Sequence, residues 1–325
     1  MFSAARLLST NVALGTRSHF YALQRCKSTI NISKSLQHGA LIPDLRIEDT
    51  GIFTTIGKRQ AQEDRHLVKT LDDGSIVLAV FDGHGGSLAA EYTAKHMSSV
   101  LESNLANNLK ISDALEKTFI EINSKLLEHI KKRKIEKERY SGTTATVCLI
   151  RDNIHLHTAS AGDSRALLCR RSVAEPLTSD HHPDREDEKE RIQKEGGGIV
   201  SNSLGQLLVN GRLAMTRSIG DFDLKSHGVT AKPDYSYHEI KPCDDSFVAL
   251  FTDGIHFSLE NQDVADIILS SDSTQSAAEN VSEEALGLNS QDNNTVIVLP
   301  LGSWGRHPPL NKTTSKVGLF LPLRD

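Results

Sequence analysis

Cysteine is scarce and dispersed. Cys26, Cys148, Cys169 and Cys243 are the only four in 325 residues, and no two form a C-x-x-C pair, which argues against a zinc knuckle or a redox motif. Nor can they serve as phosphate-attacking thiols. Such sites need an arginine six positions after the cysteine to cradle the phosphate, and those positions hold Ile32, Ile154, Glu175 and Ala249. Long apolar runs are also missing. The longest near the middle is Ile76 to Phe81, far short of the ~20 residues of a membrane helix. There is no surplus of positive charge: the formal net charge is −5, which argues against a general nucleic-acid binder. The chain has no G-x-x-x-x-G-K-[ST] loop, and Gly83-His84-Gly85 does not continue into G-x-G-x-x-G, so P-loop and dinucleotide-binding readings fail.

One local absence is informative. Met1 to Pro43 contains no Asp or Glu, yet carries Arg6, Arg17, Arg25, Lys27 and Lys34 among many serines, with Ala5, Leu8 and Val12 at helical spacing. A basic, serine-rich, acid-free amphipathic start is the pattern of a mitochondrial transit peptide. The expectation is a leader over residues 1–26, a linker over 27–50, one domain over 51–305, and a mobile tail over 306–325 that includes Pro308-Pro309. The address would be the mitochondrial matrix.

What is present suggests antiparallel sheets with helices outside. Strand signals fall at Ser75–Phe81, Thr144–Ile150, Ile154–Ser160, Arg165–Cys169, Phe247–Thr252 and Thr295–Leu299. The turn clusters Arg151-Asp152-Asn153 and Gly162-Asp163-Ser164 are too short to join parallel strands, so an antiparallel meander is expected. Ala90, Ala94, Met97 and Leu101 recur at helical spacing, as do Leu115, Phe119, Ile122, Leu126 and Ile130, and then Ala278, Val281 and Ala285. Asp184–Glu195 reads as a charged, solvated helix ended by Gly196-Gly197-Gly198.

Five acidic residues occupy unusual places. Glu63 and Asp64 close a loop. Asp82 ends an apolar strand before Gly83-His84-Gly85-Gly86. Asp253 ends another strand before Gly254. Asp292 stands before Asn293-Asn294 and a strand. Taken singly, an Asp before Gly is usually a turn former. Taken together, carboxylates held rigidly at strand ends would form a dense negative pocket that only cations neutralise. All-oxygen ligands select hard ions such as Mg²⁺ or Mn²⁺. Two such ions about 3.5–4 Å apart can share a carboxylate and a water, which becomes nucleophilic at neutral pH.

These residues, in this order, resemble the type 2C (PPM) family of metal-dependent serine/threonine protein phosphatases. The resemblance runs from about Gly51 to Gly305. It is carried by Arg59 with Glu63-Asp64, by Phe81-Asp82-Gly83-His84-Gly85-Gly86 and by Ser141-Gly142-Thr143-Thr144-Ala145. Further on come Gly162-Asp163-Ser164-Arg165-Ala166, Asp180-His181, Glu188-Lys189-Glu190-Arg191-Ile192 and Val209-Asn210-Gly211-Arg212-Leu213-Ala214. Arg217-Ser218-Ile219-Gly220-Asp221, Asp253-Gly254-Ile255 and Asp292-Asn293 complete it. The family implies an α+β fold, a four-layer αββα sandwich of two antiparallel sheets flanked by helices, and two Mn²⁺ or Mg²⁺ ions per subunit. It implies that Asp82 bridges both ions, that Asp253 and Asp292 complete the first site, and that Glu63 and the Gly83 carbonyl hold the second. Asp64 would act through metal-bound waters. Arg59 would clamp the substrate phosphate, and His84 would protonate the leaving oxygen. Where many members carry an aspartate for a weaker third ion, this chain has Glu138-Arg139-Tyr140; where many carry tryptophan it has His256, read as a packing change.

Asn202–Gln206, Val209–Lys225 and Gly302–Gly305 resemble the family's mitochondrial branch that acts on the branched-chain α-keto acid dehydrogenase complex. The implied substrate is a phosphoserine on its E1α subunit. Another mitochondrial phosphoprotein, or an inactive binding module, are the alternatives.

Overall fold

The structure is a computed structural model that describes residues 30–39 and 41–311, so the leader expected over 1–26 lies outside the described residues. In chain order the elements begin with α1 (Ile32–His38), β1 (Gly51–Thr55), β2 (Arg65–Thr70), β3 (Ile76–Phe81) and β4 (Gly83–His84). Next come α2 (Leu88–Ala106), α3 (Ile111–Arg133), β5 (Gly142–Thr143), β6 (Ala145–Arg151), β7 (His155–Ala161), β8 (Arg165–Arg170) and β9 (Val173–Pro176). Then follow α4 (Glu186–Lys194), β10 (Ile199–Ser201), β11 (Leu207–Val209), β12 (Ile219–Gly220), β13 (Asp234–Glu239) and β14 (Asp245–Phe251). The last are α5 (Asp253–His256), α6 (Asn261–Ser270), α7 (Thr274–Gly287) and β15 (Asn294–Pro300).

Two five-stranded antiparallel sheets face each other, ordered β1-β15-β14-β8-β9 and β13-β7-β6-β3-β2. β3 shows why its run is wholly apolar: all six residues are buried. Ile76, Leu78 and Val80 point between the sheets, against Leu168, Val248, Leu250, Ile297 and Leu299. Val77, Ala79 and Phe81 point the other way, under Met97, Leu115, Phe119, Ile122 and Leu126 of α2 and α3. β14 repeats the pattern, with Phe247, Ala249 and Phe251 packed beneath α6 and α7. A strand buried on both faces loses the alternation of a half-exposed one. The result is four layers, α-β-β-α, as expected.

One connection differs from the expected meander. β7 belongs to one sheet and β8 to the other, where β8 pairs with β14 and β9. Gly162-Asp163-Ser164 is therefore a crossing between sheets and not a hairpin. Gly162 takes φ +112°, and Ser164 is anchored by a 2.7 Å hydroxyl contact with Thr144. The segment expected as a linker carries α1 and a short 3₁₀ turn at Ile47–Asp49. Residues 306–311 of the expected tail are tied to the body: buried Asp266 accepts hydrogen bonds from the Leu310 and Asn311 amides at 2.8 and 3.2 Å. No helix among the described residues is long and apolar enough to cross a membrane.

Candidate active site

Both sheets open at one end. There β3 ends at Asp82, β14 ends before Asp253, Asp292 precedes β15, and Glu63-Asp64 precede β2. Register sets the closeness: Arg65 lies opposite Phe81, and Phe251 lies opposite Val296. Threonines fix the floor. The Asp64 carboxylate accepts from Thr252 and Thr295 hydroxyls at 2.9 and 2.8 Å. The Asp82 amide donates to Thr144 Oγ1 at 3.0 Å. Asn293 ties the preceding loop to β15, accepting from the Glu63 amide at 2.8 Å and donating to the Ile56 and Ala61 carbonyls at 2.8 and 3.0 Å. Glu63 Oε1 accepts from the Gly86 amide at 3.0 Å. Gly83 lies so near Glu63 that a Cβ would stand 2.5 Å from the Glu63 carbonyl oxygen.

The electrostatics are those of crowded like charges. Burial, then the negative neighbours Asp253, Asp64 and Asp163, push the Asp82 carboxyl well above the usual carboxylate range. Burial, then Asp163 and Asp292, do the same to Asp253. Asp64 is pushed up to about 6, mainly by burial, against the pull of its two threonine hydrogen bonds. Asp82 and Asp253 share a hydrogen bond, and Arg59 Nη2 pairs with Asp292 Oδ2 at 2.5 Å. In this arrangement no three His, Cys, Asp or Glu side chains among the described residues stand in ready-made ligand geometry. Two carboxylate oxygens of this cluster, Asp253 Oδ1 and Asp163 Oδ1, are nevertheless buried without a hydrogen-bond partner. Such orphans are costly unless a cation meets them, and an all-oxygen set fits a hard divalent ion.

His84 stands beside this cluster on β4, which pairs with β5, which pairs with β12. Its Nε2 lies 3.0 and 2.9 Å from the two oxygens of buried Asp221. Burial works against charge on the ring, but the proximity and hydrogen bond of Asp221 outweigh it and raise the histidine above its ordinary value. A cavity of about 590 Å³ opens from His84 and Asp221, lined by Tyr140, Arg212, Leu213, Ala214 and Met215. The Arg212 guanidinium lies 5.2 Å over the Tyr140 ring.

The structure thus brings together Glu63, Asp64, Asp82, Gly83, Asp253 and Asp292, with Arg59 at the rim and His84 alongside. The sequence reading gave no role to Asp163, Asn293 or Asp221, although it quoted their motifs. Asp163 looked like a turn former, and nothing local reveals that its turn points into the acid cluster. His256 is more than a packing change, since its Nε2 donates to the Asp163 carbonyl at 2.8 Å.

The wall of the cavity comes from a flap, Glu186 to Thr230, with its own small core of Ile192, Val209, Leu213, Met215, Leu224 and Val229. Fully buried Glu188 fastens it. Arg217 and Arg191 reach its carboxylate at 2.7 and 2.5 Å, and Arg185 at 3.3 Å. Burial opposes ionisation of Glu188, yet the hydrogen bonds from Arg191, Arg217 and Thr216 hold its carboxyl well below the ordinary range. Its contribution is therefore present above that range and lost only as pH falls beneath it. Glu188→Ala removes the shared partner of buried Arg217 and half-buried Arg191 and Arg185, and we expect a loss of about 3–5 kcal/mol in urea denaturation. A loss under about 1 kcal/mol would mean that the arginines find other partners.

Fold and site define a protein serine/threonine phosphatase of the metal-dependent kind. The family model described as protein phosphatase 2C matches residues 49–294, and the chain belongs to that family. Metal dependence is general in it. The chain is 44% identical over 283 residues to "Protein phosphatase 1K, mitochondrial" of Xenopus laevis, covering 87% of this chain and 76% of that one. It is 36% identical over 250 residues to "Probable protein phosphatase 2C 56" of Oryza sativa subsp. japonica, covering 75% and 68%. Among solved structures, a C. elegans sex determining protein superposes with a TM-score of 0.71 at 26% identity, over 80% of this chain and 65% of that chain. Serine-threonine phosphatase 2C from Toxoplasma gondii superposes with a TM-score of 0.69 over 78% and 94%; at 22% identity that likeness speaks for the fold alone.

Proposed function

We propose that the chain hydrolyses phosphoserine or phosphothreonine in a mitochondrial matrix protein, with two Mn²⁺ or Mg²⁺ ions held by the strand-end carboxylates. The observation that carries this is the pair of orphaned oxygens on Asp253 and Asp163, set among carboxyls whose proton affinity burial and mutual repulsion raise. Asp82 would bridge the ions, Asp253 and Asp292 would complete one site, and Glu63 with the Gly83 carbonyl the other; Asp64 would hold waters. When bound, such ions supply an acidified water at neutral pH and offset the charge of the phosphate.

The chain's own residues do the rest. Arg59, at the rim beside Asp292, would present a planar fork to two phosphate oxygens. His84 donates a proton to the serine or threonine oxygen as it leaves. The cavity beyond His84 receives the flanking peptide, with Tyr140 as its aromatic wall. Tyr140→Ala is therefore expected to raise KM for a phosphopeptide about tenfold, the equivalent of ~1.4 kcal/mol, and to leave p-nitrophenyl phosphate hydrolysis unchanged. An unaltered peptide KM would place the peptide elsewhere.

The particular substrate we infer is the phosphorylated E1α subunit of the branched-chain α-keto acid dehydrogenase complex. Support comes from the acid-free leader pattern and from the relative whose name includes "mitochondrial". The test is phosphate release from phospho-E1α, with Mn²⁺ and with chelator. Release that requires Mn²⁺ bears the reading out. Mn²⁺-dependent release from p-nitrophenyl phosphate but none from phospho-E1α would send the search to another mitochondrial phosphoprotein, and release from neither would leave an inactive binding module.

A further inference from the structure

We propose that Asp221 is a positioning residue for the reaction, holding the imidazole of His84 in the one orientation from which its proton reaches the leaving oxygen. The inference rests on the reading of His84 as proton donor. It concerns how the ring is held. In the step itself a water oxygen bonds to phosphorus and the bond from phosphorus to the serine or threonine oxygen breaks. The electron pair of that bond passes to the leaving oxygen, which takes the proton from His84, while the proton of the attacking water passes to bulk water, from which His84 is reprotonated.

Three observations carry the proposal. Both oxygens of Asp221 lie within hydrogen-bond distance of the same ring nitrogen, Nε2. That commits the Nε2 edge of the imidazole to the protein and leaves Nδ1, buried and without a partner in the fold, as the ring nitrogen the protein does not engage. Asp221 is in turn over-determined. It holds φ +47°, a left-handed backbone state that a non-glycine residue adopts at a cost. Its amide donates to the Ser141 carbonyl at 3.0 Å, and its carboxylate accepts from Ser218 Oγ at 2.5 Å. Ser218 is itself pinned, its carbonyl accepting from half-buried Lys225 Nζ at 2.7 Å. Finally, β5 passes directly under the pair. A Cβ on Gly142 would stand 2.1 Å from Asp221 Oδ2 and 2.4 Å from His84 Nε2. The glycine between Ser141 and Thr143 is thus the space in which the two side chains meet.

A carboxylate so fixed, at a residue with a strained backbone, acts on the ring. The expected signature is loss of kcat without loss of binding, because a misdirected donor no longer meets the leaving oxygen. Asp221→Asn should lower kcat for a phosphopeptide about 30-fold with KM within about twofold, and lower p-nitrophenyl phosphate turnover far less. Because Asp221 acts through His84, the same substitution made on His84→Ala should cost less than about twofold further. Gly142→Ala, which pushes the pair apart from below and removes no polar atom, should show the same selective loss and the same disappearance in the His84→Ala background. This second variant covers the case in which Asp221→Asn fails to fold, which thermal melting would reveal. Additive losses in the double variants, or equal slowing of both substrates, would overturn the positioning role. The two readings fail separately: wild-type protein inactive on both substrates with Mn²⁺ sinks the phosphatase proposal, whereas an active wild type with additive cycles sinks only the role of Asp221.

Discussion

Replacing Asp253 by asparagine is expected to abolish Mn²⁺-dependent phosphate release, by about 10³-fold or more, equivalent to ~4 kcal/mol, while making the metal-free protein more stable. The two effects share one cause. Asp253 lies buried among Asp82, Asp163, Asp292 and Asp64, which raise its proton affinity. One of its oxygens has no partner in the fold. Like charges gathered in this way cost stability until a cation arrives. An amide of the same shape removes one charge, and relief of about 1–2 kcal/mol is reasonable for a partly screened neighbour. That corresponds to a few degrees in Tm, at about 2–4 °C per kcal/mol for a chain of this size. Calorimetry in chelator would read it.

The pH dependence has a definite sign. The wild-type carboxyl takes up its proton as pH falls through its raised value, so the repulsion it causes fades. The stabilising effect of Asp253→Asn should therefore be largest at high pH and shrink on acidification. Added Mn²⁺ should reverse the order, because it stabilises the folded state that binds it and the variant binds it poorly. Full activity in Asp253→Asn would remove this residue from the metal assignment.

The second large effect is selective. His84→Ala should slow hydrolysis of a phosphoserine peptide about 100-fold and p-nitrophenyl phosphate less than about tenfold. Serine leaves as a strongly basic alkoxide unless a proton is supplied, whereas p-nitrophenolate is stable without one. The ring is suited to the task because Asp221 holds it above its ordinary proton affinity despite burial. Steady-state kinetics on both substrates suffices. Equal slowing would mean that His84 supports the fold or the acid cluster and does not donate the proton.

Asp82, Asp253 and Asp292 were legible in the chain because each ends or precedes a strand whose apolar run is conspicuous, whereas Glu63 and Asp64 precede β2, whose Arg-His-Leu-Val-Lys-Thr carries no such run. Asp82 after Ile76–Phe81 and Asp253 after Phe247–Thr252 could be placed without knowing which sheet held which strand. The crossing at Gly162-Asp163-Ser164 was not legible, because a three-residue turn reads alike whether it closes a hairpin or passes between sheets. Only the tertiary pairing of β8 with β14 decides it, and with it the placing of Asp163 among the carboxylates. β13 escaped notice for a different reason. Asp-Tyr-Ser-Tyr-His-Glu alternates intermediate and exposed residues on a sheet edge, so it lacks the apolar signal of an inner strand. Asp221 was hidden because its partner, His84, lies 137 positions away in sequence. Arg59 was expected to clamp the phosphate; its pairing with Asp292 follows from local charge balance that no spacing rule reports.

Metal binding and turnover measured together test the central claim most directly. Metal-free protein would be titrated with Mn²⁺ in a calorimeter while phosphate release from a phosphoserine peptide is followed at the same ion concentrations, for wild type and for Asp82→Asn. The account predicts saturable uptake of about two ions per chain, activity that rises in step with occupancy and is erased by chelator, and neither in Asp82→Asn. Turnover that persists undiminished in chelator, or an Asp82→Asn protein that binds Mn²⁺ and works as wild type does, would contradict it.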